Sequence, residues 1–446
     1  MNTRRVVITG LGPVTPIGTG VSAFWNALLE KRSGVRRVRA FDPSRFDAQI
    51  GGEIDGLNIG EYVPKSYRKA AKIMARDIML AVAAAHQAVS DAKLRTKCLI
   101  ERGEGDGGAN VDNTRFGANI GAGLICADLP ELTEALHGAN ENGEFSFARW
   151  GTDGMNNLTP LWLLKFLPNM LACHVTIVHD AEGPSNTITC GEASSHLAIG
   201  EAFRSITRGA ADVCICGGAE SKANAMALLR QALGRRLSLR NDQPERACRP
   251  LAADRDGTVI SEGGGLVILE ELEHARRRGA RIYAELIGFG AGHDAFMASQ
   301  PSRPHPEGRG TAVAIRKALR DAGIAPEQVG LIAVFAAGLI EHDRSEAVAI
   351  RSVLGARTEQ VPAMAIKAGI GNSGAGSGAI DFIAAVLALY HATIPPAFNS
   401  APVDPSCGLR VSVDGPTDVR AEYALSTAYA LGGGQNAALV IKRFKE

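Results

Sequence analysis

Short apolar runs alternate with segments of helical period along this chain. Residues 5–9 (RVVIT) are a continuous apolar run of strand type, with a loop expected over Gly10-Leu11-Gly12 and Thr15-Pro16-Ile17-Gly18 and a helix over 21–31. Residues 67–92 have the length and apolar side of one long helix. Residues 93–113 are polar and Gly-rich and read as a loop, 116–123 as a strand, and 128–156 as a polar surface insertion or cap. Residues 161–174 are strongly apolar, with Pro168 inside them, and read as a core helix. The stretch 183–220 reads as strand, sharp turn, helix, strand. Residues 186–189 are β-prone. Leu197, Ile199, Ala202, Phe203 and Ile206 recur at helical spacing, Gly209 ends that helix, and 211–216 is an apolar strand closing in Gly217-Gly218.

The rest of the chain repeats the alternation. Strands are expected at 267–270, 282–290, 331–336, 425–434 and 437–443. Helices are expected within 223–239, at 272–278 and 310–323, from about Ser345, and at 379–391. A Gly-rich loop, 365–378, leads into the last helix. Each half ends in a Gly-rich turn and a final strand, Gly217-Gly218 in one and Gly432-Gly433-Gly434 in the other. Such alternation predicts two α/β halves with parallel sheets, divided here at 1–275 and 276–446.

Composition narrows the function classes. At 446 residues the chain can bury two related cores. A formal net charge of +1 gives no electrostatic case for nucleic acid or an anionic membrane. No apolar run reaches the roughly 18 residues that span a bilayer, and MNTRRVVITG enters a strand without a signal-peptide core. A cytoplasmic location is expected. The 8 cysteines fit no zinc spacing and read as free thiols of a reducing compartment. The Gly10-Leu11-Gly12 segment fails the dinucleotide fingerprint in its spacing, and no cofactor is implied.

The turn at 190–192 is the chemical focus. A strand-turn-helix elbow lifts its turn residue to a helix N-terminus, where backbone N–H groups favour negative charge. Enzymes place nucleophiles there. The elbow resembles that of the β-ketoacyl-acyl carrier protein synthases, the elongating branch of the thiolase-like superfamily. The chain opening (VVITGLG, TPIG, FWNALLEKRSGV, FDPSRF) and RPLAADRDGTVISEGGGLVILEE at 249–271 resemble the same family. The resemblance covers nearly the whole chain apart from 100–113 and 128–156. It implies a thiolase-like α/β fold, two similar halves packed as α-β-α-β-α layers, dimeric, acting on acyl carrier protein with acyl or malonyl phosphopantetheine.

The family uses a Cys nucleophile and two His residues. Counted from GPS at 183–185 and from the GGAE ending at Glu220, its nucleophile position falls on Glu192, two residues past Cys190. Counted back from Ser345-Glu346-Ala347, the first His position is Phe335. The second, in a Lys-x-x-x-Gly-His segment, is Asn372; Lys367 and Asp381 of that region are kept. The family's gating Phe falls on Gly432 and its closing Asn on Asn436. A carboxylate, a phenyl ring and an amide cannot run the condensation: the covalent route is gone, Phe335 offers no donor, and Asn372 could donate one hydrogen bond to a carbonyl but cannot transfer a proton near neutral pH; a lost oxyanion donor is worth factors of about 10²–10³.

The resemblance therefore implies a chain-length-factor-type subunit that pairs with an active ketosynthase, a class whose members often carry Gln at the Cys position. Two alternatives stand beside it. Glu192 could act as a base in decarboxylation or hydrolysis of carrier-bound acyl groups, or Cys190 could serve as the nucleophile after a local shift; a homodimer is the remaining assembly. His174 and His196, near the elbow, are expected to be surface or satisfied interface histidines rather than catalytic bases, and Lys367 and Asp381 a structural ion pair.

Overall fold

The computed structural model describes residues 4–104, 107–296, 303–432 and 434–445. Gly105 and Asp106 of the polar loop and Gly433 of the closing turn lie outside them. The first strand, Val6–Thr15, is buried along its whole length and pairs antiparallel with Ile260–Glu271 on one side and Ala284–His293 on the other. From Ile260–Glu271 the sheet continues through Val213–Ser221 and Phe116–Ala122 to an edge strand, Ser185–Ile188. From Ala284–His293 it continues through Gln435–Arg443, Tyr423–Tyr429, Val329–Ala333, Pro362–Met364 and Arg410–Val411.

The outer strands of both wings are parallel. The inner ones are antiparallel, which departs from the all-parallel expectation. Strands reached by a helical crossover run parallel; Tyr423–Tyr429 and Gln435–Arg443 are joined by a tight turn, which forces opposite directions.

Gly10-Leu11-Gly12 is not a loop. It lies inside the first strand, past a bulge between Ile8 and Gly10. The helix Arg76–Asp91 crosses so close that a Cβ on Gly10 or Gly12 would strike the Ala88 or Ala84 carbonyl. The expected 67–92 helix is broken. A short turn, Arg68–Ala71, precedes Arg76–Asp91, with Ala75 extended between them. The restart is tied to the sheet. Arg76 makes a two-point contact to Glu262 (2.8 and 2.7 Å), and Asp77 accepts the Ser221 N–H at 3.0 Å. The polar stretch 93–113 contains a further helix, Lys97–Arg102.

Two helices fill the space between the wings and pack on each other. Ser194–Thr207 lies on Phe116–Ala122 and Val213–Ser221; Ser377–His391 lies on Ile260–Glu271 and Tyr423–Tyr429. They are pinned where the Ala379 N–H donates to Ser195 Oγ at 2.9 Å. By length and composition the 18 residues Gly374–His391 could cross a membrane, against the expectation that no such run exists. Of that window 89% is instead buried inside the protein, as a helix touching core on every side requires.

The 128–156 region forms the surface cap expected, with a helix Leu129–Gly138 and a small hairpin. The apolar stretch after it is not a core helix. Pro168 separates a 3-10 turn, Trp162–Phe166, from the helix Met170–His179, and Leu161 and Leu163 are exposed. Those leucines sit on the outside of the turn, away from the core that takes Leu171 and Val175.

Candidate functional site

The elbow forms as its sequence predicts. The edge strand Ser185–Ile188 runs into a turn at Cys190-Gly191, and a 3-10 turn Gly191–Ala193 leads straight into Ser194–Thr207. Gly191 has φ +56°, a left-handed conformation that glycine adopts without strain. The turn leaves Glu192 at the helix start, facing inward and 4% exposed.

Both Glu192 oxygens are occupied. Oε1 accepts from Lys222 Nζ at 2.7 Å and from Asn372 Nδ2 at 3.4 Å; Oε2 accepts the Leu431 N–H at 2.9 Å. Burial alone would push this carboxyl up. The Lys222 charge and hydrogen bond, with the backbone donors, outweigh it and hold the pKa at about 2. Lys222 is itself buried, which disfavours its ammonium, but the Glu192 and Glu220 carboxylates keep its pKa above the ordinary lysine value. Glu220 accepts the Ala375 N–H at 2.7 Å, and burial raises its pKa. The Gly-rich loop must come close here: a Cβ on Gly374 would run into the Glu220 carboxylate and the Lys222 stem.

Asn372 and Phe335, which the resemblance sets at the histidine positions, also lie here. Asn372 donates to Glu192, and its Oδ1 accepts the Gly374 N–H at 2.9 Å. The Phe335 ring is fully buried and lies edge-on to Tyr429, centroids 4.9 Å apart. Lys367 Nζ sits 3.8 Å from the Phe335 centroid and is paired with Asp381. Burial raises the Asp381 carboxyl to about 6, with the Lys367 ammonium opposing. The backbone under Phe335 is held by Glu346, which accepts the Phe335 N–H (2.8 Å), the Ala336 N–H (2.9 Å) and the Thr427 hydroxyl (2.6 Å).

The closing turn departs from the positional reading. Gly432 is exposed, whereas Leu431 is fully buried among Phe335, Ala337, Ala428 and Tyr429. Leu431, not Gly432, thus fills the apolar place next to the site. Its backbone is held on both sides of the Cα, the N–H by Glu192 and the carbonyl by Arg236 Nη2 at 3.0 Å. Asn436 accepts from the Thr311 hydroxyl at 2.6 Å and donates to the Gly434 carbonyl, fixing the far end of the turn. A cavity bordered by Tyr429, Ala430, His342 and Glu346 measures 20 Å³, room for about one water.

Cys190 is half-buried, and burial pushes its thiol pKa up, which opposes nucleophilicity. His174 Nδ1 bonds the Tyr67 hydroxyl at 2.9 Å, and His196 Nε2 bonds Ser426 Oγ at 2.9 Å. Lys222, Leu431 and Arg236 were missed in the sequence. Lys222 had one signal: a lysine directly after a buried-type strand ending in Glu220 calls for a counter-ion. A groove of 1080 Å³ opens elsewhere, between cap and body, with Arg39, Lys72, Lys165, Phe166 and Met226 among its walls.

Two wings of sheet enclosing paired helices, with an elbow buried at their junction, define a thiolase-like protein. Residues 3–275 match the beta-ketoacyl synthase N-terminal domain and residues 283–401 its C-terminal domain; the chain belongs to the beta-ketoacyl synthase family. It is 34% identical over 442 residues to a 3-oxoacyl-[acyl-carrier-protein] synthase 2 of Synechocystis sp., covering 99% of both chains. It is 33% identical over 444 residues to the Coxiella burnetii protein of the same name, again covering 99% of each. Among solved structures it resembles a type II PKS ketosynthase in complex with its acyl-carrier protein (TM-score 0.84, 28% identity, 99% and 100% coverage). It also resembles the ishigamide ketosynthase/chain length factor (TM-score 0.82, 28% identity, 99% and 100% coverage).

Proposed function

We propose that this chain is a non-condensing, chain-length-factor-type subunit of a type II fatty acid or polyketide (polyene-like) system. It pairs with an active ketosynthase and handles chains on acyl carrier protein in the cytoplasm. The observation that carries this reading is the Glu192 carboxylate, tied on both oxygens where the family keeps its nucleophile. A carboxylate held at about 2 is a poor base near neutral pH, which disfavours Glu192-dependent decarboxylation or hydrolysis. The raised thiol of Cys190 disfavours the third reading.

Surface features support the assembly. The edge strand Ser185–Ile188 has strand pairing on one side, to Phe116–Ala122, and ends the sheet. An exposed sheet edge is a template for a second chain. Lys65, Arg68, Lys69 and Lys72 are exposed together around the short Arg68–Ala71 turn. They suit the anionic phosphodiester of a carrier arm.

The test is intact-mass analysis of acyl- and malonyl-loaded carrier after incubation with this chain, alone and with a candidate ketosynthase. Unchanged carrier species with the chain alone, and a heterodimer whose product length depends on it, are expected. Malonyl-to-acetyl conversion or acyl release lost in Glu192→Ala would establish the altered-chemistry reading; elongation by the chain alone would overturn both.

A further inference from the structure

We propose that Lys222, Glu192 and Arg236 form an electrostatic latch that holds the Leu431 turn shut across the family's acyl position. The inference deepens the non-condensing reading and rests on it. Lys222 stands at the end of Val213–Ser221, so its backbone is fixed by the sheet through the Lys222 N–H bond to the Ser261 carbonyl at 3.0 Å. Glu192 stands at the helix start, fixed by the elbow. Between them they present one carboxylate oxygen to the Leu431 N–H, while Arg236 takes the same residue's carbonyl. The two peptide groups that flank the Leu431 Cα are thus each gripped by a charged side chain, so neither can swing without breaking one of these bonds, and hydrogen bonds to ionised partners are about twice as strong as neutral ones. The Leu431 side chain then closes the apolar wall with Phe335 and Tyr429.

The latch makes the site self-occupied. For a carbonyl oxygen of an incoming acyl group to use the Leu431 N–H, it must displace a carboxylate, and a neutral carbonyl is the weaker acceptor. Glu192 thereby does two things with one side chain: it removes the nucleophile and fills the donor. Lys222 is the positioning residue, because it sets which way the carboxylate points.

The experiment is amide hydrogen exchange on the full-length chain at single-residue resolution, read at Leu431. Two variants are compared with wild type. Lys222→Met removes the anchor, and the double variant Glu192→Leu/Lys222→Leu removes both charges of the pair, and Glu220, whose pKa burial already raises, is left to take up a proton, so this variant keeps the fold if Lys222→Met does not. At least tenfold faster exchange at Leu431 is expected in each folded variant, with the amides of Ser194–Thr207 and Gln435–Arg443 unchanged. Wild-type protection at Leu431 in the folded double variant would overturn the latch, as would a rise spread evenly over the whole chain. The readout uses no carrier and no partner, so its failure is distinct from failure of the partner-subunit reading.

Discussion

Lys367 Nζ lies 3.8 Å from the centroid of the Phe335 ring, so an ammonium rests on a phenyl face beside the elbow site. Both residues are fully buried. A dry cation–π contact is worth about 2 kcal/mol or more. A double-mutant cycle of Phe335→Leu and Lys367→Met by denaturant unfolding is expected to give a coupling of about 1–2 kcal/mol. Additive effects would mean that the ring is only packing.

The same lysine neutralises Asp381. Lys367→Met strands a buried carboxyl and is expected to cost about 3–5 kcal/mol. Lys367→Met/Asp381→Leu removes both charges and is expected to recover most of that loss. Equal instability of the two proteins in urea melts would refute the counter-ion role.

His196 gives a pH signature. Burial, with the Lys367 charge adding to it, lowers its pKa from 6.5 to about 3. A depressed histidine contributes stability that is present above pH 6.5 and is lost as pH falls toward 3. Between pH 7 and pH 5 the loss from this one group is about 2 kcal/mol. Buried carboxyls such as Asp77 and Glu346, raised by burial to about 7, change stability in the opposite direction over the same window. The comparison is therefore His196→Gln against wild type. The variant is expected to gain about 2 kcal/mol relative to wild type on going from pH 7 to pH 5. Parallel stability–pH curves would contradict it.

Restoring a thiol is not enough for condensation. Glu192→Cys/Lys222→Ala supplies a nucleophile at the elbow and clears the ammonium. The protein is expected to take up an acyl group from acyl carrier protein, seen as an added mass on this chain, and to give no extended β-ketoacyl product. Phe335 has no hydrogen-bond donor, and Asn372 can donate a hydrogen bond but cannot transfer a proton as the second half-reaction needs. Extended product from this variant would show that the histidine positions are dispensable.

The alternation of apolar runs revealed the wings, the elbow and the central helices, because each strand and each helix face is a local pattern. Its failures were non-local. Gly10 and Gly12 looked like a loop because their purpose, close approach of Arg76–Asp91, is a contact some 75 residues away. Leu161 and Leu163 looked buried because hydropathy does not report which side of a turn faces solvent. At the site, positional counting reached Glu192, Phe335, Asn372, Lys367 and Asp381, which the fold gathers around one pair of helices. It placed the gating residue at Gly432, while packing puts Leu431 there. Lys222 escaped because its one local signal, a lysine directly after a buried strand, does not say that the counter-ion lies 30 residues upstream.

The Lys222–Glu192 pair also limits which single substitutions the chain tolerates. A neutral side chain in place of Glu192 would leave a buried ammonium with Glu220 alone beside it; loss of Lys222 would leave two buried carboxylates without their cation. Breaking a buried pair from one side costs about 3–5 kcal/mol, a large part of what keeps a domain folded. The two positions are therefore tied, and a change at one is best tolerated together with a change at the other.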